Sequence, residues 1–404
     1  MKSIFGLVRY GVNELLARGL SLGLILILPL LLTPTEFGYV VFYVAVEQVL
    51  VSLLLFGQSN YFIKVYQSSE SLGAKLTQYG IAISVIFFIA IIVTSVGLVT
   101  FISGIASLSK GVPFLLILCS SVMLAVYELK NIKFRADGQH RDYFRSKLLF
   151  QSLKFAICMF LVVVLGAQSL SYPAALFIAV VVTSLRNHIA DPLSLGFVEA
   201  LPKLNSVLVL VPFAMQSLIN IMYSFVDRIM VKDMLSVVDL AVYGFSYNVA
   251  SLAFFSLSVI FIYYTPVFYR VKTLCVAQRI LFKVCSIAAC CLVILIFFLS
   301  VIYDPIIEHF PIEYRNSDVV ARILIISFLF HVLYLYGFHL SNYQGFVKLM
   351  PIYVTISLLL NVLFNYVFIA RYGVSGAALS TLLSEMVLAF LMVYNARIAK
   401  RNHA

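Results

Sequence analysis

The sequence has 404 residues, of which 63% are hydrophobic and only 11% are Asp, Glu, Lys or Arg. That is about half the charged share of an ordinary soluble domain, so a water-soluble fold is excluded. A bilayer core of about 30 Å is crossed by about 20 apolar residues, which allows this chain about a dozen crossings. The formal net charge of +11 is typical of Lys-rich and Arg-rich cytoplasmic loops, and nucleic acid is not an expected partner.

Apolar windows of about 19 residues predict an all-α integral membrane protein with twelve transmembrane helices. Turn signals such as Thr33-Pro34-Thr35 and Tyr372-Gly373 separate them. The predicted helices occupy residues 12–32, 37–57, 79–103, 112–130, 147–166, 171–187, 205–230, 237–262, 280–303, 320–341, 350–370 and 374–396.

The distribution of charge over the loops predicts the orientation of the chain. With the amino terminus inside, most Lys and Arg residues fall on the cytoplasmic side, whereas the loop at 304–319 is acidic. Positively charged loops stay in the cytoplasm during insertion. Both termini are therefore predicted to be cytoplasmic, in a multi-pass membrane protein.

The chain is also predicted to consist of two six-helix halves, 1–200 and 201–404. Phe42 matches Phe245 and Val46 matches Val249 at the same offset, which is half the length of the chain. Parallel repeats of this kind are typical of transporters in which two similar bundles alternate around a central site.

Motifs of soluble enzymes are missing from the sequence. There is no Gly-x-x-x-x-Gly-Lys-Ser/Thr loop, no His-Glu-x-x-His and no Gly-x-Ser-x-Gly. Cys and His residues lack the spacing of metal ligands. We therefore expect no enzymatic activity, no metal and no cofactor, and we take polar residues inside the membrane as the candidates for function.

Two cations lie within predicted helices. Glu14 and Arg18 are four residues apart on the first helix and are able to pair. Arg18 is interpreted either as part of an interfacial ion pair or as a ligand for an anionic head group in a cavity. Lys154 on the fifth helix is interpreted either as a phosphate ligand or as a side chain that extends to the cytoplasmic surface.

The seventh predicted helix carries a polar stripe formed by Gln216, Asn220, Tyr223 and Asp227, and Arg228 follows it. Such a stripe is not expected to face lipid. It indicates either contact with substrate or hydrogen bonding between helices, with the Asp-Arg pair as an anchor at the outer surface. Both interpretations remain open from the sequence.

Three glutamates are candidates for ion coupling: Glu14, Glu47 and Glu385. A carboxyl group within the membrane suits reversible protonation in a proton-coupled cycle, and coupling to sodium is the open alternative. The alternative is a structural carboxyl group that is permanently hydrogen bonded. Tyr247 on the eighth helix is a candidate for stacking against a sugar ring.

Several short motifs resemble those of a known family. They are Glu36-Phe37-Gly38, Asp227-Arg228, Val242-Tyr243 and the segment Tyr372-Gly373-Val374-Ser375-Gly376-Ala377-Ala378. Together with twelve helices and two halves, they resemble the bacterial polysaccharide transporters. These are the O-antigen and capsule flippases of the multidrug, oligosaccharidyl-lipid and polysaccharide exporter superfamily. The glycine usual before the Tyr243 segment is replaced by Ala241.

The resemblance implies a flippase that moves an undecaprenyl-pyrophosphate-linked oligosaccharide across the inner membrane by alternating access. It implies pyrophosphate contacts by cations such as Arg18, Lys154 and Arg228, and other polysaccharide assembly proteins as partners. One alternative is a small-molecule or drug exporter of the same superfamily, which predicts that acidic residues dominate the cavity. Another is a membrane-bound O-antigen polymerase, which the short outer loop at 304–319 disfavours.

Overall fold

The structure is a computed structural model, and the residues that it describes are almost all helical. It describes residues 16, 19–58, 82–83, 85–91, 93, 108–137, 139–190, 204–271, 273–346 and 348–402, and all structural statements below concern these residues.

All twelve predicted segments contain helical residues, so the predicted all-α fold is confirmed. The third segment is described only in part, as helical residues between 82 and 93, which we call α3. The other helices are α1 Gly19–Leu31, α2 Pro34–Leu55, α4 Leu108–Ala136, α5 His140–Val163, α6 Ser171–Ala190, α7 Leu204–Met234, α8 Val237–Arg270, α9 Leu274–Ile307, α10 Ser317–Tyr343, α11 Met350–Tyr372 and α12 Val374–Asn402.

Several helices extend past their predicted ends. α8 continues to Arg270 instead of residue 262, and its 34 residues span about 50 Å, more than the hydrocarbon core. Hydropathy marks only the part of a helix that lies in lipid, whereas backbone hydrogen bonding continues into the polar flanks. Where the chain turns between helices, specific residues fix the ends: Ser236 caps α8 by accepting a hydrogen bond from the Asp239 backbone N–H at 3.0 Å.

In the described part of the chain, nine helices are long and apolar enough to cross a membrane. Many of their large apolar side chains are exposed, as on α9, where Ile294, Phe297 and Phe298 each expose more than half of their surface. Such a surface is stable against lipid and not against water. The chain is therefore a multi-pass membrane protein.

The described residues pack into two compact units. The amino-terminal unit comprises the described residues within 13–21 and 42–225, and the carboxy-terminal unit comprises those within 22–41 and 226–404. α2 and α7 each contribute residues to both units, and the division into halves 1–200 and 201–404 stays a prediction. Whether the halves are repeats of one another stays a prediction.

Close helix packing in the carboxy-terminal unit depends on Gly337 in α10. A Cβ atom at this position would lie 2.5 Å from the Met392 carbonyl carbon of α12 and 2.7 Å from the Val393 nitrogen. The backbones of α10 and α12 are thus in contact at a point where no larger residue fits.

We expect Gly337→Val to destabilise the protein by about 1–3 kcal/mol or more, because the added methyl groups force the two backbones apart. Thermal unfolding of the purified chain in detergent measures the loss. Gly23→Ala in α1 is the control, because nothing lies within 4 Å of a Cβ atom there. Equal melting temperatures for the two variants would contradict the packing argument.

Candidate functional site

The carboxy-terminal unit contains a buried group of polar residues around Asp227, which we call the aspartate cluster: Asp227, Tyr243, Asn361, Asn365 and Thr381. Asp227, near the end of α7, has only 2% of its surface exposed. The Tyr243 hydroxyl donates a hydrogen bond to Asp227 Oδ2 at 2.8 Å, and the Thr381 hydroxyl donates to the same oxygen at 2.7 Å. Asn365 Nδ2 donates to Oδ1 at 2.6 Å. Three further helices, α8, α11 and α12, therefore converge on one carboxyl group through neutral donors.

The aspartate cluster continues along one face of α11, where residues four apart lie above one another. Asn365 Nδ2 is 3.1 Å from Asn361 Oδ1, and Asn361 Nδ2 is 3.4 Å from the Ser384 hydroxyl on α12. Asn365 is fully buried, and its Oδ1 has no hydrogen-bond partner within the described part of the chain. The cluster therefore presents an oxygen acceptor beside a carboxyl group.

Arg228 is buried and does not reach the surface. Its guanidinium carbon lies 5.0 Å from the centroid of the Tyr247 ring, and the Tyr247 ring is 6.3 Å from that of Tyr243. This is a cation–π contact. The interpretation of Asp227 and Arg228 as an anchor at the outer surface is wrong, because both side chains are buried. Hydrogen bonding between helices, the other part of that interpretation, is present at Asp227.

Glu385 in α12 contacts a histidine. His331 Nδ1 of α10 lies 3.3 Å from both Glu385 carboxyl oxygens. The rings of Phe254 and Tyr334 flank the imidazole, with centroids 5.1 and 5.0 Å away. The pair is a carboxyl group and an imidazole that can share a proton in an otherwise apolar surrounding.

The amino-terminal unit contains a cavity of about 500 Å³, which we call the glutamate cavity. Its walls include aliphatic side chains of α2, α4 and α7 such as Val51, Leu124 and Ile221. Two carboxyl groups line it, Glu47 of α2 and Glu128 of α4. The Tyr172 hydroxyl of α6 donates a hydrogen bond to Glu47 Oε2 at 2.7 Å.

Lys154 of α5 is buried, with 5% of its surface exposed. Its Nζ atom lies 5.5 Å from the centroid of the Phe150 ring and 5.7 Å from that of the Tyr172 ring. The ammonium group is also close enough to the Glu47 carboxyl group for an electrostatic interaction. The interpretation of Lys154 as a side chain that extends to the surface is therefore wrong.

The remaining sequence candidates fall outside these contacts. Glu14 and Arg18 lie outside the described residues, and the side chains of Gln216, Asn220 and Tyr223 are likewise not described, although their backbone is part of α7. In the described ranges, no group of three or more His, Cys, Asp or Glu residues could hold a metal ion.

Sequence reasoning did not find Glu128, Phe150 or Tyr172 as site residues. Glu128 lies near the end of an apolar helix, where a charged residue is ordinary. Tyr172 meets Glu47 across 125 positions of the chain, a separation that helical spacing does not detect. Within the sequence, none of the three stands out from the other residues of its helix.

Comparison with solved structures identifies the fold. The inward-facing conformation of a multidrug resistance MATE family transporter of the MOP superfamily has a TM-score of 0.76 and 14% identity, covering 98% of this chain and 96% of that one. The outward-facing conformation of such a transporter has a TM-score of 0.73 and 13% identity, covering 97% and 94%. A MOP superfamily transporter from Pyrococcus furiosus Vc1, described by the reverse polarity of its binding pocket, has a TM-score of 0.60 and 12% identity, covering 97% and 95%.

The chain has the fold of the MATE transporters over almost its whole length. No protein-family model matches the sequence, and no curated protein matches it either. The likeness to MATE transporters is thus one of fold, and the predicted resemblance to polysaccharide flippases is supported only as far as this shared architecture.

Proposed function

We propose that this protein is a membrane transporter that exports amphiphilic organic cations by alternating access. The observation that carries the substrate class is the glutamate cavity. Glu47 and Glu128 supply negative charge, whereas Val51, Leu124 and Ile221 supply apolar surface. No Lys or Arg is found in the described part of its lining. An organic cation with an apolar body matches both properties.

Alternating access is supported by the fold. This chain is similar both to an inward-facing and to an outward-facing MATE transporter structure, with comparable TM-scores. A fold does not fix the substrate, and the cavity therefore carries that part of the proposal.

A second candidate function is the transport of undecaprenyl-pyrophosphate-linked oligosaccharide. It is supported by the short motifs around Asp227 and Tyr372 and by two buried cations, Lys154 and Arg228. Guanidinium and ammonium groups are the usual ligands of pyrophosphate, and the Tyr247 ring beside Arg228 offers a stacking surface for a sugar. Arg18 as a pyrophosphate ligand stays a prediction.

Reconstituted vesicles separate the two substrates. With the purified chain in liposomes, we expect a pH or sodium gradient to drive accumulation of ethidium or tetraphenylphosphonium at least about fivefold above empty vesicles. In the host, we expect deletion of the gene to increase sensitivity to such cations and to leave surface polysaccharide unchanged. Loss of surface polymer, with complete repeat units trapped on the cytoplasmic face, would instead establish the oligosaccharide flippase.

We further propose that transport is coupled to protons or sodium ions. Glu385 with His331 is the candidate for proton exchange, and the aspartate cluster, with the free acceptor Asn365 Oδ1, could hold a small monovalent cation. One carboxyl group and several neutral oxygens match one positive charge. Glu47 stays a coupling candidate as well as a cavity residue, and Glu14 stays a prediction.

Glu385→Gln is expected to remove at least about two thirds of the stimulation of transport by a pH gradient, because the amide cannot exchange a proton with His331. Vesicle uptake with and without the gradient measures this. Asp318→Asn, which breaks the 3.2 Å pair with Arg322 at the start of α10, the helix that carries His331, is the control and should keep the stimulation. Unaltered stimulation in Glu385→Gln would overturn the assignment.

The remaining parts of the proposal concern location and partners. We propose that the protein resides in the bacterial inner membrane with both termini in the cytoplasm, as its loop charges indicate. It acts without enzymatic chemistry and without nucleic acid. Polysaccharide assembly proteins are partners only under the second candidate function.

A further inference from the structure

Lys154 has an environment that usually belongs to a bound organic cation. Its ammonium group lies between the Phe150 and Tyr172 rings at 5.5 and 5.7 Å from their centroids. Aromatic rings with a nearby carboxyl group are the way in which proteins bind quaternary ammonium ligands. Here Glu47 provides the carboxyl group, and Tyr172 connects the two parts, because its ring contacts Lys154 while its hydroxyl bonds to Glu47 at 2.7 Å.

We propose that Lys154 is a tethered occupant of the cation site and that it competes with the transported cation for Glu47 and the two rings. The proposal rests on the proposed organic-cation transport and names the residue that limits which cations are accepted. Glu47 belongs to both environments, since it contacts Tyr172 on one side and lines the glutamate cavity on the other.

The charges of Glu47, Glu128 and Lys154 together determine which cation the site prefers. Glu47 and Glu128 line the same cavity, so the site carries two carboxyl groups. Lys154 reduces their combined negative charge by one. With Lys154 in place the site balances one further positive charge, and a monovalent cation is preferred. Without Lys154 it balances two, and a divalent organic cation becomes acceptable.

A buried lysine side chain is otherwise unfavourable in an apolar helix bundle. An ammonium group removed from water must be compensated by partners that stay in place. The Phe150 and Tyr172 rings and the Glu47 carboxyl group provide that compensation in the absence of substrate. They also keep the empty site from holding an uncompensated pair of carboxyl groups.

The test measures binding of two probes to the purified full chain in detergent: tetrapropylammonium, with one charge, and hexamethonium, with two. Lys154→Met and Lys154→Gln remove the charge, and Lys154→Arg keeps it as the matched control. We expect both neutral variants to bind tetrapropylammonium at least about tenfold more tightly than the wild type, and to gain more for hexamethonium. Lys154→Arg should stay within about threefold of the wild type for both probes. Gln retains a hydrogen-bonding group towards Tyr172 and Glu47, so the test remains available if the Met variant does not fold.

The outcomes separate this inference from the proposed function. Equal affinities in the wild type and in the neutral variants, with tetrapropylammonium still bound, would overturn the role of Lys154 and leave organic-cation transport standing. Weaker binding in the neutral variants would also overturn it, because Lys154 would then support the site instead of competing for it. Failure of all four proteins to bind either probe would overturn both proposals.

Discussion

Asp227→Ala is expected to lower the free energy of unfolding by about 3–5 kcal/mol and to abolish transport. The substitution leaves the Tyr243 hydroxyl, the Thr381 hydroxyl and the Asn365 amide without their acceptor. Each buried donor without a partner costs about 1–3 kcal/mol. Since these donors lie on α8, α11 and α12, the change also removes the common attachment of three helices to α7.

Thermal unfolding in detergent and vesicle uptake measure the two effects separately. Asp233→Ala is the matched control, because it removes an aspartate from the same helix whose side chain is 63% exposed and 3.5 Å from Lys232. An exposed pair of this kind contributes at most about 1 kcal/mol. An Asp227→Ala protein that melts and transports like Asp233→Ala would contradict the central role of the aspartate cluster.

Asp227→Asn distinguishes charge from shape. The amide keeps the volume of the carboxyl group, but its Nδ2 atom must face at least one of the three donors. We expect its stability to lie between those of the wild type and Asp227→Ala.

Hydropathy was sufficient to predict the fold of this chain. Segments such as 280–303 are so apolar that only a helix in lipid satisfies their backbone, and α9 covers that range. The ends of the helices were less accurate, because polar flanks such as residues 140–146 continue the backbone hydrogen bonding of α5 outside the apolar stretch. The helices are therefore longer than the apolar stretches from which they are predicted.

The aspartate cluster was predicted in part. The polar stripe on the seventh predicted helix indicates that Asp227 faces other helices, but it does not identify the polar face of α11 as its partner. Their meeting was not predictable, because Asn365 reaches Asp227 across 138 positions of the chain. Spacing within a helix shows which side chains share a face of that helix. It does not show which other helix packs against that face.

The surroundings of Lys154 were outside the reach of the sequence. Both interpretations of this residue, as a phosphate ligand and as a side chain that extends to the surface, treated it as a single cation in an apolar helix. Phe150 lies one turn before it on the same helix, whereas Tyr172 belongs to α6 and Glu47 to α2. The aromatic and acidic partners are thus assembled by helix packing alone.

Glu128→Lys is expected to lower organic-cation transport at least about a hundredfold. Glu128 lines the glutamate cavity, and the described part of the lining contains no lysine or arginine. The substitution therefore changes the charge of the cavity by two units. A unit charge about 4 Å away is worth about 4 kcal/mol at an effective dielectric constant of about 20. Even after screening by water in the cavity, a cation should no longer enter it.

Glu308→Lys makes the same change of charge at an exposed position just beyond the end of α9 and should leave transport within about twofold of the wild type. Vesicle uptake of tetraphenylphosphonium measures both variants. Measurement of anion uptake adds a second criterion. In Glu128→Lys the new ammonium group balances Glu47, so the lining of the cavity becomes neutral, and the site becomes positive once Lys154 is also counted. Normal cation uptake in Glu128→Lys would place the transport path outside the glutamate cavity, and a switch towards anions would locate the charge selectivity of the protein within it.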